Sequence, residues 1–223
     1  MPPLVIVPIV EGHGEVAAVP ILLRRWLEHR RFHKNVAVDV KGPVRASGKG
    51  ALTASHSDGE LGVGHYIGLA LLRRPDTIVV ILDADDDCPK SQGAHLLARA
   101  RGAVPADFPV GVVLANRMYE AWFLAALSFK SFRDGVKSLG HTPTPSRDPT
   151  LVDVETVANP KAKIAEWLGV ASYEPTVHQS ALSRVLPFTT GMKRKSRSFR
   201  KLLEELESLL ARARRRPPSS PRK

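Results

Sequence analysis

The chain has 223 residues, 43% hydrophobic and 25% charged, with a net charge of +11. That length supports a sizeable core without staples, as one large domain or one domain with an appendage. The single cysteine, Cys88, excludes an intrachain disulfide and makes a reducing cytoplasm the expected location.

The opening MPPLVIVPIV is too short and lacks the basic n-region of a signal peptide, and no apolar run approaches the roughly 18 residues of a membrane span. Leu4 to Val10 instead fits a buried parallel strand, with Pro8 expected to bulge or kink it. A turn follows, Glu11-Gly12-His13-Gly14-Glu15. Val16, Val19, Leu23 and Leu27 then recur at helical spacing, and Pro20 places the expected helix start near Ala17. Val36 to Val40 alternates as a second strand. Gly42 to Asp58 is rich in glycine and serine and is expected to be a mobile loop. Leu61 to Arg74 reads as helix and Thr77 to Leu82 as the clearest central strand. Gln92 to Arg101 reads as helix, Val110 to Leu114 as strand, and Tyr119 to Leu127 as helix. Such alternation predicts a mainly parallel sheet of four or slightly more strands with helices on both faces.

After Ser128 the pattern changes. His141 to Pro149 reads as loop. Pro160 to Leu168 and Thr176 to Val185 are candidate helices, and Phe199 to Ala213 has the apolar spacing of an amphipathic one. The expected organisation is an α/β domain over residues 1–130, a C-terminal helical extension over 131–215 and a disordered basic tail over 216–223. Lys193 to Lys223 holds 12 Lys/Arg and 3 Glu, so +9 of the net +11 sits at this end. A basic end on a nearly neutral body suggests a polyanion partner, most simply nucleic acid; a solubilising helix is the plain alternative. Arg45, Lys49, Arg117, Lys193, Arg194 and Lys195 are the candidate phosphate contacts.

Ligands of open α/β sheets bind outside the carboxyl ends of the strands. Glu11 follows the first strand, Asp83 and Asp85 follow the third, and Glu120 opens the helix after the fourth. In extended backbone Asp83 and Asp85 point the same way, and one helical turn could bring Glu15 to Glu11. Carboxylates packed together repel, and a hard cation such as Mg²⁺ or Mn²⁺ would offset that. Asp86 and Asp87 read as turn residues. Gly42 to Gly50 lacks the spacing of a phosphate loop. His13 reads equally as a residue behind the acids or as an exposed turn residue. His178 and Gln179 read as structural, or as lining the site from the C-terminal part.

The turn Glu11 to Glu15, followed by strand-Asp83-x-Asp85, resembles a TOPRIM domain, the metal-binding fold of topoisomerases, bacterial primases and OLD (overcoming lysogenization defect) nucleases. More closely, VEGHGEVAAVPILLRRWL, ILDADDDCP and YEAWFLA resemble an uncharacterised bacterial family of stand-alone TOPRIM-like proteins, over roughly Leu4 to Leu127 and more loosely in YEPTVHQSAL and SFRKLLEEL. The resemblance implies a Rossmannoid fold and a Mg²⁺- or Mn²⁺-dependent nuclease. Glu11, Asp83 and Asp85 would then be catalytic core ligands, with Glu15 and Glu120 for a second ion. It further implies an effector of a bacterial defence system working with a separately encoded ATPase, since this chain has no credible ATP-binding motif. The alternative is a non-enzymatic nucleic-acid-binding or assembly subunit on the same fold.

Overall fold

A computed structural model describes residues 3–32, 36–55, 62–141 and 153–216. Strand β1 (Leu4–Val10) lies inside a parallel sheet, between β2 (Val38–Val40) and β4 (Thr77–Asp83). Beyond β4 lies β5 (Val110–Ala115), giving the order β2-β1-β4-β5. A two-residue strand, β3 (Val44–Arg45), pairs with Ile9 and Val10 of β1 past the end of β2. The expected α/β architecture with a mainly parallel sheet is what the chain forms.

Strand β1 runs unbroken through Pro8, contrary to the expected bulge. The reason lies in its neighbour. The Leu4 N–H donates to Ala37 O, and the Ile6 and Val10 carbonyls accept from Lys41 and Ala46. Even-numbered residues of β1 thus face the β2–β3 side. Pro8, which has no N–H to give, falls opposite the break between those two short strands at Lys41-Gly42-Pro43.

Side chains alternate across the sheet. Val5, Val7, Ile9, Ile78, Val80 and Leu82 pack under α2 (Lys49–Thr53), α3 (Gly62–Leu71) and α4 (Pro89–Gly102). Ile6, Val10, Val79 and Ile81 face the other way, onto α1 (His13–His29) and the C-terminal helices. Those are α5 (Glu120–Ala126), α6 (Lys130–Ser138), α7 (Pro160–Leu168), α8 (Ser180–Ser183), α9 (Thr190–Lys195) and α10 (Arg197–Arg215). A 3₁₀ turn (Val154–Thr156) and a π-helical turn (Pro175–Gln179) complete this layer. The helices after residue 130 therefore close the main core.

Three local expectations need correcting. Helix α1 starts at His13 and carries the buried Pro20 in its interior. The carbonyl that Pro20 leaves without a donor belongs to Val16, in an exposed part of the helix. The stretch from Gly42 to Ser55 is not an unstructured loop: it forms β3 and α2 and buries Val44, Ala46 and Leu52. Three apolar side chains among the glycines were enough to anchor it. Helix α6 was not expected; it buries Phe132 and Val136, one turn apart, and Gly135 lets it approach Val185 closely. Most of the loop expected over His141 to Pro149 and the tail beyond Arg216 lie outside the described residues. Among the described residues no helix is long and apolar enough to cross a membrane.

Candidate acidic site at the sheet edge

Parallel pairing of β1 with β4 sets their carboxyl ends side by side, with Val10 opposite Ile81. Glu11 and Asp83 are therefore neighbours, and Glu11 Oε2 accepts a 3.2 Å hydrogen bond from the Asp83 N–H. Asp83 Oδ1 accepts from the Tyr119 N–H at 2.8 Å, which ties the acid to the residue before α5. The Tyr119 hydroxyl in turn meets Ser183 Oγ at 3.0 Å inside the core.

Glu15 stands in the first turn of α1. Its Oε2 accepts from the Gly12 N–H at 2.9 Å, supporting the helix start. Its Oε1 accepts from Gln179 Nε2 at 3.2 Å, reaching across 164 residues of chain. Gly14 permits this approach, because a Cβ there would lie 2.0 Å from Gln179 Oε1. Glu120 is only 1% exposed, and neither of its oxygens has a hydrogen-bond partner among the described residues. The buried Tyr173 hydroxyl beside it makes no well-aligned bond either, and Gln179 Oε1 is likewise unpartnered. Several buried polar atoms without partners around one carboxylate are unusual and costly.

The electrostatics reflect this crowding. Burial pushes Asp83 well above the usual carboxylate range, and Glu120, Glu15 and Glu11 push it further against the Tyr119 N–H. The Asp83 carboxylate is enclosed although part of the residue reaches the surface. Burial also raises Glu11, as do Asp85 and Glu15, while the Asp83 N–H and Lys49 oppose the rise. Glu120 is raised by burial and by Glu15, with Lys161, its own N–H and the nearby Tyr173 hydroxyl pulling the other way.

Asp85 behaves differently from Asp83. Its φ of 52° breaks the extended alternation, so the two side chains do not point the same way. The ladder of β4 and β5 continues one step past the strands, with Ala84 N–H to Ala115 O at 3.0 Å and Asp85 N–H to Arg117 O at 2.7 Å. Both chains then turn away at left-handed residues, Asp85 and Arg117. The exposed Asp85 carboxylate is 3.2 Å from Lys49 Nζ, which also lies 2.9 Å from Asp87 and 2.5 Å from Ala84 O. Burial alone would lower Lys49, but its bonds to Asp87 and Asp85 raise it.

The remaining expected residues divide by position. Arg45 is exposed at the end of β3, on the acidic edge. Arg117 holds Asp86 at 3.0 Å on the same edge. Lys193 is elsewhere: it lines a hollow with Trp26, His29 and Arg30 at the far end of α1, and Arg194 and Lys195 follow it in α9. A helix of 17 residues is about 25 Å long, so these three basic residues do not share the acidic edge. The basic end of α10 also points away from the acids: Arg216 pairs with Asp107 at 3.1 Å, near the start of β5. His13 is exposed, and His178 accepts from the Glu174 N–H at 2.9 Å and stacks on Tyr173, a structural arrangement. Tyr173 and Lys161 were not singled out from the sequence. Nothing local marks them; only the return of the chain past α6 brings them to Glu120.

The donors present are all carboxylate oxygens, which suits a hard cation, and the two unbonded oxygens of Glu120 are consistent with one. Against this, among the described residues no group of three or more His, Cys, Asp or Glu side chains converges to hold a metal ion. Glu11 Oε2, Asp83 Oδ1 and both oxygens of Glu15 are engaged by protein N–H groups. A cation held here would need those side chains to rotate toward it.

A family model described as "Domain of unknown function (DUF4276)" matches residues 10–207. The chain belongs to the DUF4276 family. No curated protein and no solved structure matches it. The DUF4276 match spans Glu11, Glu15, Asp83, Asp85 and Glu120, and also Tyr173 and Gln179.

A cation bound by the raised carboxyls of this DUF4276 chain would release protons, because it would favour the ionised forms. Calorimetric titration with Mn²⁺ in two buffers of different ionisation enthalpy should show proton release, larger at pH 6 than at pH 8. Heats that do not depend on the buffer would contradict the picture of carboxyls whose affinity for a proton is raised by burial and by one another.

Proposed function

We propose that this DUF4276 protein is a divalent-metal-dependent nuclease of TOPRIM-like type that hydrolyses phosphodiester bonds. The observation that carries the reading is the meeting of Glu11, Glu15, Asp83 and Glu120 at the carboxyl edge of a parallel sheet, with Glu120 buried and unbonded. Four acids brought together from three chain segments are poorly explained by structure alone, since each raises the energy of its neighbours.

When bound, Mg²⁺ or Mn²⁺ would neutralise charge on the scissile phosphate and lower the pKa of an attacking water. Glu11, Asp83 and Glu120 would hold it, and Gln179 fixes Glu15 beside them. Glu11, whose affinity for a proton is raised, serves either as ligand or as general base. Lys49, Arg45 and Arg117 surround the mouth and supply donors for phosphate oxygens. The resemblance to the TOPRIM part of OLD nucleases supports a cytoplasmic defence role with a separately encoded ATPase. The test is a panel of single- and double-stranded DNA and RNA with Mg²⁺, Mn²⁺ or EDTA. Cleavage should occur with the metals, stop in EDTA and be lost in Glu11→Gln. Intact substrates under every condition would overturn the reading.

One observation favours a second reading. Lys49 already neutralises Asp85 and Asp87, as a resident cation would in a non-enzymatic nucleic-acid-binding or assembly subunit. The two readings differ for Lys49→Met. A nuclease should bind Mn²⁺ before and after the substitution, somewhat tighter after it because a competing positive charge is gone. A subunit relying on Lys49 should bind Mn²⁺ only after it. The metal-free variant should lose about 0.5–1 kcal/mol in either case, as expected for partly exposed ion pairs.

A further inference from the structure

Among the described residues the sheet ends at β5, and no strand lies beside its outer edge. Pairing fixes which backbone groups that edge presents. The Ile78 N–H donates to Pro109 O and the Ala84 N–H to Ala115 O, so odd-numbered residues of this segment face β4. By the alternation of a parallel ladder, the N–H and C=O groups of Val112 and Leu114 point outward. They have no hydrogen-bond partner among the described residues. An unpaired edge of this kind is a template for another strand.

The edge does not open onto a flat surface. It lies in a groove of about 630 Å³ between α4 and α10. Val112, Leu114, Ala94 and Leu97 line an apolar floor and wall, and Gly93 widens the α4 side. The mouth carries Lys90, Arg197 and Lys201; Arg197 binds Glu155, the one carboxylate of the lining, and Lys201 Nζ pairs with Glu205 at 2.6 Å, which leaves Lys90 without an ion pair among the described residues. The lining is thus apolar within and cationic at the rim. Nothing in the acidic site uses it.

We propose that this groove binds an extended acidic peptide segment of a partner protein, which adds to β5 as a further strand. The backbone of Val112 and Leu114 supplies the pairing, the apolar wall takes alternate side chains, and Lys90, with Lys201 exchanging Glu205 for the peptide, selects carboxylates between them. A second copy of this chain is disfavoured, because it would set two cationic rims against each other. A simple amphiphile would fill the apolar space but leave the backbone groups unpaired.

The probe is a phage-displayed library of random dodecapeptides, panned on the full-length protein and counter-selected on Ala94→Trp. Ala94 is exposed, so the indole blocks the groove without entering the core. Selected peptides should alternate Asp or Glu with Val, Ile or Leu. A synthetic copy should shift and protect the Val112 and Leu114 amides in NMR spectra. It should bind Lys90→Glu/Lys201→Glu about tenfold more weakly, and Val112→Pro should lose binding, because only an outward N–H is removed. Ala94→Trp should keep the Mn²⁺ response of the native protein. The proposal is overturned if no peptide depends on the open groove, or if basic peptides are selected equally well. It is also overturned if dodecanoate binds where peptides do not, or if the groove mediates self-association that Ala94→Trp abolishes.

Discussion

Asp83→Asn should make the metal-free protein more stable at pH 8, while abolishing its stabilisation by Mg²⁺ and any cleavage. The amide keeps an oxygen for the Tyr119 N–H, so the link to α5 survives. Its new N–H donors meet Glu11, Glu15 and Glu120, which can accept them. The effect has a pH signature. A carboxyl raised in the folded state gives its full stability below its unfolded value, 3.8 for Asp83, and loses it as pH rises through the folded one. The advantage of Asn over Asp should therefore vanish near pH 4 and grow toward pH 8. Saturating metal at a hundred times its Kd should stabilise the native chain by about 2.7 kcal/mol and the variant far less. Thermal melts across pH, with and without Mg²⁺, measure both. If the acids were ordinary caps, the variant should instead melt lower by about 1 kcal/mol and respond to metal like the native protein.

Trp122→Ala should cost about 3–5 kcal/mol, a large part of the 5–15 kcal/mol typical of a domain. Trp122 is fully buried, and its indole N–H donates to Ser198 Oγ at 2.9 Å. Its ring packs on Tyr119 and Phe199, with centroids at 4.6 and 5.5 Å. It joins α5 to α10 directly behind Asp83. Denaturant unfolding should remain a single transition at a lower midpoint, because both halves share one core. A loss below about 1 kcal/mol, or two separate transitions, would mean that the helices after residue 130 form a detachable unit.

The strands were legible because their signal is local. Leu4 to Val10 and Thr77 to Asp83 are β-branched runs buried on both faces, and the acids at their ends follow from the chain order. What could not be read depends on contacts across the chain. Pro8 is harmless only because its neighbour strand breaks beside it. Asp85 leaves the alternation at a left-handed φ, with its N–H held by the Arg117 carbonyl past the end of β5. Lys49 reaches Asp85 because α2 folds over the edge, and Gln179 reaches Glu15 because the chain returns after α7. The basic residues show what composition leaves open. Their composition suggested a polyanion partner without saying where it would bind, and packing of α9 and α10 carries Lys193 and Arg216 away from the acidic edge.

The central claim is that Glu11, Asp83 and Glu120 bind a divalent cation. Anomalous diffraction from crystals grown with Mn²⁺ tests it most directly. The account predicts a Mn²⁺ peak between these three carboxylates, at roughly 2.0–2.2 Å from Glu11 and Asp83 oxygens, with Glu120 oxygens turned toward it and the peak absent in Asp83→Asn. Native crystals with no peak there, with Glu11 still accepting from the Asp83 N–H and Asp83 from the Tyr119 N–H, would contradict it.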